Sequence, residues 1–174
     1  MTIGFLKASA LLAAATFIPL LELRASIPLG MFDGDIRVTL GVPVIVLVCF
    51  LSNVMLGMAV FEAMAVAERV LLKFSWFRRG IWPMLERRRD KLHPLVEKYG
   101  IWGVSLFIGV PLPGTGACAG AIASYLLRLE RRRFWMANLL GVLCAAIAVT
   151  VVCLAIDQGF VGEDSLINRL FLKR

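Results

Sequence analysis

The stretch Pro111-Leu112-Pro113-Gly114-Thr115-Gly116 lies in the middle of residues 99–127, a 29-residue segment that carries no charged side chain. A continuous helix of that length would measure about 43 Å, well over the roughly 30 Å of a bilayer's hydrocarbon core. Two prolines and two glycines within six residues break a helix, because proline lacks the amide donor and clashes with the preceding turn. The segment therefore predicts two half-helices, residues 99–110 and 115–127, joined at a Pro/Gly tip.

Basic residues flank this segment on both sides, with Lys91 and Lys98 before it and Arg128 and residues 131–133 after it. Short loops that are rich in Lys and Arg stay on the cytoplasmic side of a membrane. A single crossing would place one basic cluster outside, whereas a hairpin that enters and leaves by one face keeps both inside. The charge pattern thus predicts a re-entrant hairpin over residues 99–127.

The overall composition is that of a membrane protein. Of the 174 residues, 60% are apolar, whereas soluble domains are closer to half apolar. Two further charge-free stretches, residues 38–61 and 134–156, are long enough to cross a bilayer as helices. The net charge of +7 is concentrated in the hydrophilic segments, and no nucleic-acid recognition motif accompanies it. We therefore expect a multi-pass membrane protein that does not bind nucleic acid.

The first third of the chain resembles the second hairpin in its organisation. Residues 8–21 are apolar but too short to span, and a hydrophilic loop follows at residues 33–37. We predict an all-α integral membrane protein, a single membrane domain over residues 1–174, built as an inverted repeat of a re-entrant helical hairpin plus a transmembrane helix. Its parts are hairpin one (5–37), a span (38–67), a basic amphipathic interfacial linker on the cytoplasmic side (68–98), hairpin two (99–127) and a second span (134–156).

Glu22 and Arg24 are the first candidates for function, because ionisable side chains at membrane depth are costly and usually functional. A buried Glu22 could alternate between charged and neutral forms, which makes it the candidate for proton coupling. Arg24 would stay charged and could hold an anionic group through two N–H donors. In the alternative interpretation, both residues end a short helix at the interface and extend to water.

The Pro/Gly tip is the second candidate. A half-helix that begins near Thr115 presents backbone N–H groups and the positive end of its dipole, which together favour an anion. The alternative is close helix packing through small residues. Asn53 and Asn138, one in each predicted span, are assigned a supporting role as interhelical hydrogen-bonding residues. The predicted substrate-binding residues are Arg24, Pro28, Pro111, Pro113, Gly114, Thr115 and Gly116.

The four cysteines and the single histidine form no pattern of catalysis or metal binding. The cysteines lie in apolar stretches without paired spacing, so we expect neither a disulfide framework nor a zinc site. The apolar segments contain no Ser/His pair, acidic pair or metal-binding cluster. We therefore expect no enzymatic activity, no metal and no cofactor.

The pattern Pro19-x-x-Glu22-x-Arg24-x-x-Ile27-Pro28-x-Gly30, with the stretch at residues 110–117 downstream, resembles the small multidrug export membrane proteins. That family is regarded as a distant relative of the DedA, or VTT-domain, superfamily, and the resemblance covers roughly residues 8–156. It implies two opposed re-entrant hairpins and, for DedA relatives, movement of lipids such as polyprenyl phosphates, with proton coupling through a membrane acidic residue. This chain departs from DedA proteins in that its second hairpin has no charged residue.

Together these features lead us to expect a transporter or flippase for an anionic lipid such as a polyprenyl phosphate, with Glu22 as the proton site. One alternative is proton-coupled export of small cationic compounds, in which Glu22 would bind the cation directly. Another is a membrane scaffold that transports nothing. The expected location is the prokaryotic inner membrane, and the expected partners are membrane lipids and the proton gradient, with homo-oligomerisation left open.

Overall fold

The computed structural model describes residues 4–18, 21–75, 79, 100–110 and 115–157. Within these residues all regular structure is helical, so the predicted all-α class is confirmed for this part of the chain. The predicted interfacial linker lies outside the described residues beyond residue 75, except at residue 79. The helices are α1 (Phe5–Thr16), α2 (Glu22–Phe32), α3 (Gly34–Leu40), α4 (Val42–Leu71), α5 (Gly100–Gly109), α6 (Ala117–Leu126) and α7 (Arg131–Asp157).

Two of these helices, α4 and α7, are long and apolar enough to cross a membrane, at 30 and 27 residues. They correspond to the two predicted spans. Both helices also expose a series of large apolar side chains, which fits contact with lipid. Those side chains include Leu47, Leu51, Met55, Leu143, Ile147 and Val151.

The boundaries of the first span differ from the prediction, because residues 34–40 form the separate helix α3. The Asp33 side chain caps α3 by accepting a hydrogen bond from the Ile36 N–H at 3.0 Å. Gly41, at φ +73°, ends α3, and Pro43 stands at the start of α4. The predicted loop at residues 33–37 is therefore wrong, because most of it belongs to a helix whose cap and stop residues are both present in the sequence.

A bidentate ion pair joins α3 to the far end of α7. Arg37 donates two hydrogen bonds to Asp157, at 2.8 and 2.7 Å, and both side chains are partly exposed. α7 itself begins at Arg131, three residues before the charge-free stretch that predicted it. The helical backbone therefore continues through the basic cluster instead of starting after it.

Helices α1 and α2 form an antiparallel pair that packs on α4. The Thr16 hydroxyl donates a hydrogen bond to the Ser26 hydroxyl at 2.7 Å. One turn earlier in α1, the Leu12 side chain packs against Gly30, where an added Cβ would lie 3.2 Å from Cδ2 of Leu12. A Cβ on Gly30 would also lie 2.6 Å from Ile45 of α4. Small residues thus allow the three helices to approach closely.

Helices α5 and α6 form a second antiparallel pair, which packs on α7. A Cβ on Gly120 would lie 2.7 Å from Cδ1 of Ile108, and a Cβ on Gly141 of α7 would lie 2.8 Å from the Ser105 carbonyl oxygen. The Ser105 hydroxyl also donates to the Ala137 carbonyl at 3.1 Å. The predicted packing through small residues is therefore present at Gly120, beside the candidate site.

The two long helices contact one another through an asparagine and a ring stack. The Asn138 amide donates to the Val54 carbonyl at 3.1 Å and lies against Gly57. Phe61 and Phe134 stack with ring centroids 4.4 Å apart. The Asn138 side chain thus joins α7 to the backbone of α4.

Asn138→Ala should lower stability by roughly 1–2 kcal/mol, since it removes one hydrogen bond between helices and leaves a cavity beside Gly57. Thermal unfolding of the purified protein in detergent would measure the loss as a lower Tm. Leu139→Ala, at a neighbouring residue whose side chain is exposed, is the matched control and should change Tm much less. Equal shifts for the two variants would contradict this role for Asn138.

Candidate functional site

The side chain of Glu22, at the start of α2, contacts the amino end of α6. Its two carboxylate oxygens accept hydrogen bonds from the backbone N–H groups of Ala117 and Cys118, each at 3.0 Å. The first N–H groups of a helix have no partner within the helix and lie at the positive end of its dipole. Glu22 is 5% exposed, so these bonds are shielded from solvent. The Glu22 carboxylate therefore occupies the anion position of α6, which is the place beside its first N–H groups where a bound anion would lie.

The backbone of Glu22 is unusual as well. Its φ of +48° lies in the left-handed region, which residues other than glycine rarely adopt. Such a conformation costs on the order of 1–2 kcal/mol and persists only where surrounding contacts hold it. The two bonds from α6 are contacts of that kind. A strained residue with a buried carboxylate is typical of a functional site.

Arg24, two residues along, contacts the same part of the chain. Its Nη2 atom donates to the Val110 carbonyl and to the Thr115 hydroxyl, each at 2.9 Å. The Thr115 hydroxyl in turn donates to the Val110 carbonyl at 2.8 Å. Val110 follows the last turn of α5, and Thr115 precedes α6. Arg24 therefore connects the two ends of the predicted tip.

The two charges match the ends of the helices that they contact. The cation lies at the carboxyl end of α5, where the dipole is negative, and the anion lies at the amino end of α6, where it is positive. Both interactions are therefore favourable in electrostatic terms. The first helical pair docks on the second through Glu22 and Arg24.

Gly116 is the residue on which this docking depends sterically. Its φ of +142° is a conformation that other residues rarely adopt. A Cβ there would lie 2.8 Å from Cδ of Glu22 and 2.9 Å from Oε1. The position thus requires glycine for its backbone conformation and for the close approach of the carboxylate.

The register of α2 on α4 gives the position of the site along the long helix. Gly30 faces Ile45, since a Cβ on Gly30 would lie 2.6 Å from Cγ2 of Ile45. The two helices are antiparallel, so two turns back along α2 from Gly30 to Glu22 correspond to two turns forward along α4 from Ile45 to Asn53. Asn53 lies about 16 Å from the first residue of the 30-residue helix α4.

The structure brings together four of the predicted site residues: Glu22, Arg24, Thr115 and Gly116. Asn53 is buried at 1% exposure, and its amide oxygen has no hydrogen-bond partner among the described residues. Pro28 is partly buried inside α2, further along from the charged pair. Three predicted tip residues, Pro111, Pro113 and Gly114, lie outside the described residues.

Sequence reasoning missed the backbone groups that complete the site, the Ala117 and Cys118 N–H and the Val110 carbonyl. It had assigned the amino end of α6 to an anionic substrate, whereas in the structure the chain's own Glu22 occupies that position. The predicted start of a half-helix near Thr115 is the sequence signal that could have located the Ala117 and Cys118 N–H groups. Within the described residues, no group of three or more His, Cys, Asp or Glu side chains is placed to hold a metal ion.

Comparison with known proteins gives one match. The sequence model of the family described as "Putative small multi-drug export protein" matches residues 22–148, which begin at Glu22 and include every contact of the site. No curated protein and no solved structure matches the chain.

Proposed function

Because this chain is a helical membrane protein of the small multi-drug export protein family, we propose that it is a proton-coupled transporter of an anionic amphiphile, such as a polyprenyl phosphate. The observation that carries the proposal is the Glu22 carboxylate on the amino end of α6. A position that holds one carboxylate by two N–H groups and a helix dipole has the chemistry to hold a phosphate.

Exchange at this position would couple the proton to the substrate. A charged Glu22 fills the position and excludes another anion. Protonation removes the charge and turns one oxygen into a donor, which weakens both bonds to the α6 N–H groups. A phosphate headgroup can then replace the carboxylate, with Arg24 beside it as a permanent cation. One anion position would thus accept the substrate only when Glu22 carries a proton.

The packing supports a particular topology for this transporter. We infer that the α1–α2 and α5–α6 pairs are re-entrant hairpins that enter from opposite faces and meet near the middle of the bilayer. With α4 and α7 they would form an inverted repeat, an architecture that many transporters use. The positive-inside rule would put the basic linker at residues 68–98 in the cytoplasm of a prokaryotic cell.

A second candidate is export of small compounds, which the family's description of multi-drug export favours; we consider cationic compounds, because a carboxylate such as Glu22 can bind them. In that mechanism Glu22 would bind the cation directly. The electrostatic environment of Glu22 disfavours binding of a cation, because both carboxylate oxygens already accept hydrogen bonds from N–H groups and Arg24 lies two residues away. A cation would have to compete with a helix dipole and a guanidinium for the same carboxylate.

Flux measurements in vesicles of matched protein content test the proposal against the alternative. We expect the reconstituted protein to move a labelled polyprenyl phosphate faster under an imposed pH gradient than without one. A labelled cationic dye should show no such acceleration. The reverse result would favour cation export, and no flux of either compound would favour a scaffold.

Arg24→Lys should reduce lipid flux by roughly 10–100-fold, the effect of losing one charge-assisted hydrogen bond. Lysine keeps the charge but lacks the planar guanidinium group, which donates to both the Val110 carbonyl and the Thr115 hydroxyl. Arg132→Lys, at an exposed residue of the basic cluster, is the control and should leave the flux unchanged. Wild-type lipid flux in Arg24→Lys would remove Arg24 from the substrate site.

A further inference from the structure

A second site, separate from Glu22, lies at the other end of α6. It is a cavity of about 380 Å³ where the last turns of α4, the end of α6 and the start of α7 meet. The cavity lies near the ends of both membrane-spanning helices, at the level where lipid headgroups would be. Its lining residues are Phe61, Glu68, Tyr125, Arg128, Leu129 and Arg131.

The side chains around the cavity are held in place by several contacts. The Tyr125 hydroxyl donates a hydrogen bond to the Glu68 carboxylate, and the Tyr125 ring packs edge-on against Phe61. Arg131 pairs with Glu62 at 2.7 Å and stacks 4.7 Å above the Trp135 ring. The lining thus combines two guanidinium groups, one carboxylate and two aromatic rings.

Arg128 occupies a backbone position at which glycine is usual. The N–H of Leu129 bonds to the Ser124 carbonyl and that of Arg128 to the Tyr125 carbonyl, which together form a Schellman motif at the end of α6. In this motif the residue corresponding to Arg128 takes a positive φ, here +56°. The chain therefore has a strained arginine where glycine would fit without strain, and that arginine lines the cavity.

We propose that the cavity binds a phosphate ester that also carries an ammonium group, the chemistry that zwitterionic lipid headgroups share with soluble amino-alcohol phosphates. Arg128 and Arg131 bind the phosphate, because guanidinium groups match its oxygens with paired N–H donors. The Glu68 carboxylate binds the ammonium, and the aromatic rings add cation–π attraction.

The mixed charge of the lining selects this class of ligand. A simple anion would be repelled by Glu68, and a simple cation by Arg128 and by Arg131, whose charge Glu62 partly offsets. A zwitterion carries an opposite charge both for the guanidinium groups and for the Glu68 carboxylate, in addition to the contacts that these side chains already make. The inference does not depend on transport through Glu22, because none of these residues belongs to that site.

Calorimetric titration of the full-length protein in detergent tests the proposal with three probes: short-chain phosphatidylethanolamine, short-chain phosphatidylglycerol and soluble O-phosphoethanolamine. We expect phosphatidylethanolamine to bind about tenfold more tightly than phosphatidylglycerol, which lacks the ammonium. Binding of O-phosphoethanolamine as tight as that of the lipid would identify a soluble ligand, and weaker binding would identify a lipid headgroup. Equal affinity for the two lipids, or no binding of any probe, would overturn the proposal.

Glu68→Gln should weaken binding of phosphatidylethanolamine by about tenfold without weakening that of phosphatidylglycerol. Glutamine can still accept the hydrogen bond of Tyr125, so the cavity should keep its shape. Glu130→Gln, at an exposed carboxylate that does not line the cavity, is the control and should change neither affinity. A variant Glu68→Gln that kept the wild-type preference would contradict an ammonium site.

Arg128→Gly separates a binding role from a structural one. We expect Tm to rise by a few degrees, since glycine relieves the positive φ. We also expect the affinity for both lipids to fall by about tenfold, since one phosphate contact is lost. A residue kept only for stability would give a lower Tm and unchanged affinity, and that result would overturn the assignment.

Discussion

Glu22→Gln should abolish acceleration of lipid flux by a pH gradient while the helical fold remains. The amide cannot titrate, so the step that links the proton to the substrate is lost. Glutamine also has one acceptor oxygen where the carboxylate has two, and one of the two α6 N–H groups loses its partner. We expect a loss of stability of about 1–3 kcal/mol from that N–H group. Circular dichroism would verify the fold, and Tm would report the loss.

The same variant distinguishes exchange at Glu22 from a general loss of function. An uncharged residue resembles the protonated state, so Glu22→Gln should still bind a labelled polyprenyl phosphate but with no dependence on pH. Glu130→Gln, at an exposed glutamate, is the control and should keep the wild-type profile. If Glu22→Gln retained pH-driven flux, the proton would have to be carried by another group.

Gly116→Ala should be the most destabilising single change at the site, by roughly 2–4 kcal/mol. The added Cβ would overlap the Glu22 carboxylate, at 2.8 Å from Cδ and 2.9 Å from Oε1, and alanine would have to adopt a positive φ. Either α6 or the Glu22 side chain has to move, and both bonds between them are lost. We expect a lower Tm and no proton-driven flux.

A matched control and a double variant test this explanation. Gly34→Ala adds the same methyl group where no atom lies within 4 Å, and it should leave Tm nearly unchanged or raise it. Removing the carboxylate first, with Glu22→Ala, should make the further change Gly116→Ala much less destabilising, because the two residues are in contact. Additive losses would mean that the glycine is needed for its backbone alone.

The sequence predicted the helices that are defined by their own composition. The two spans follow from charge-free length, and the half-helices around residues 110–116 follow from prolines and glycines that break a helix. Helix α3 escaped prediction because seven residues are too few to show a hydrophobic period, so only the cap at Asp33 and the stop at Gly41 mark it.

The site was predictable in its side chains but not in its connections. Glu22 and Arg24 stand out as charged groups between apolar stretches, and Gly116 stands out in the tip. Their partners do not, because the Ala117 and Cys118 N–H groups belong to the backbone and have no signature in residue type. The Glu22 carboxylate bonds to residues that lie 95 and 96 positions later in the chain. The pattern of neighbouring residues carries no information about contacts over such a separation.

That separation along the chain also has a consequence for biosynthesis. Glu22 leaves the ribosome 95 residues before Ala117, which at 5–20 residues per second is a delay of about 5–20 s. During that time Glu22 and Arg24 lack the α5 and α6 groups that bond them in the folded protein, and in the proposed topology charges inside the bilayer without such bonds are costly. We therefore expect the α1–α2 pair to remain near the membrane surface until the second half is synthesised, so that it inserts together with α5 and α6.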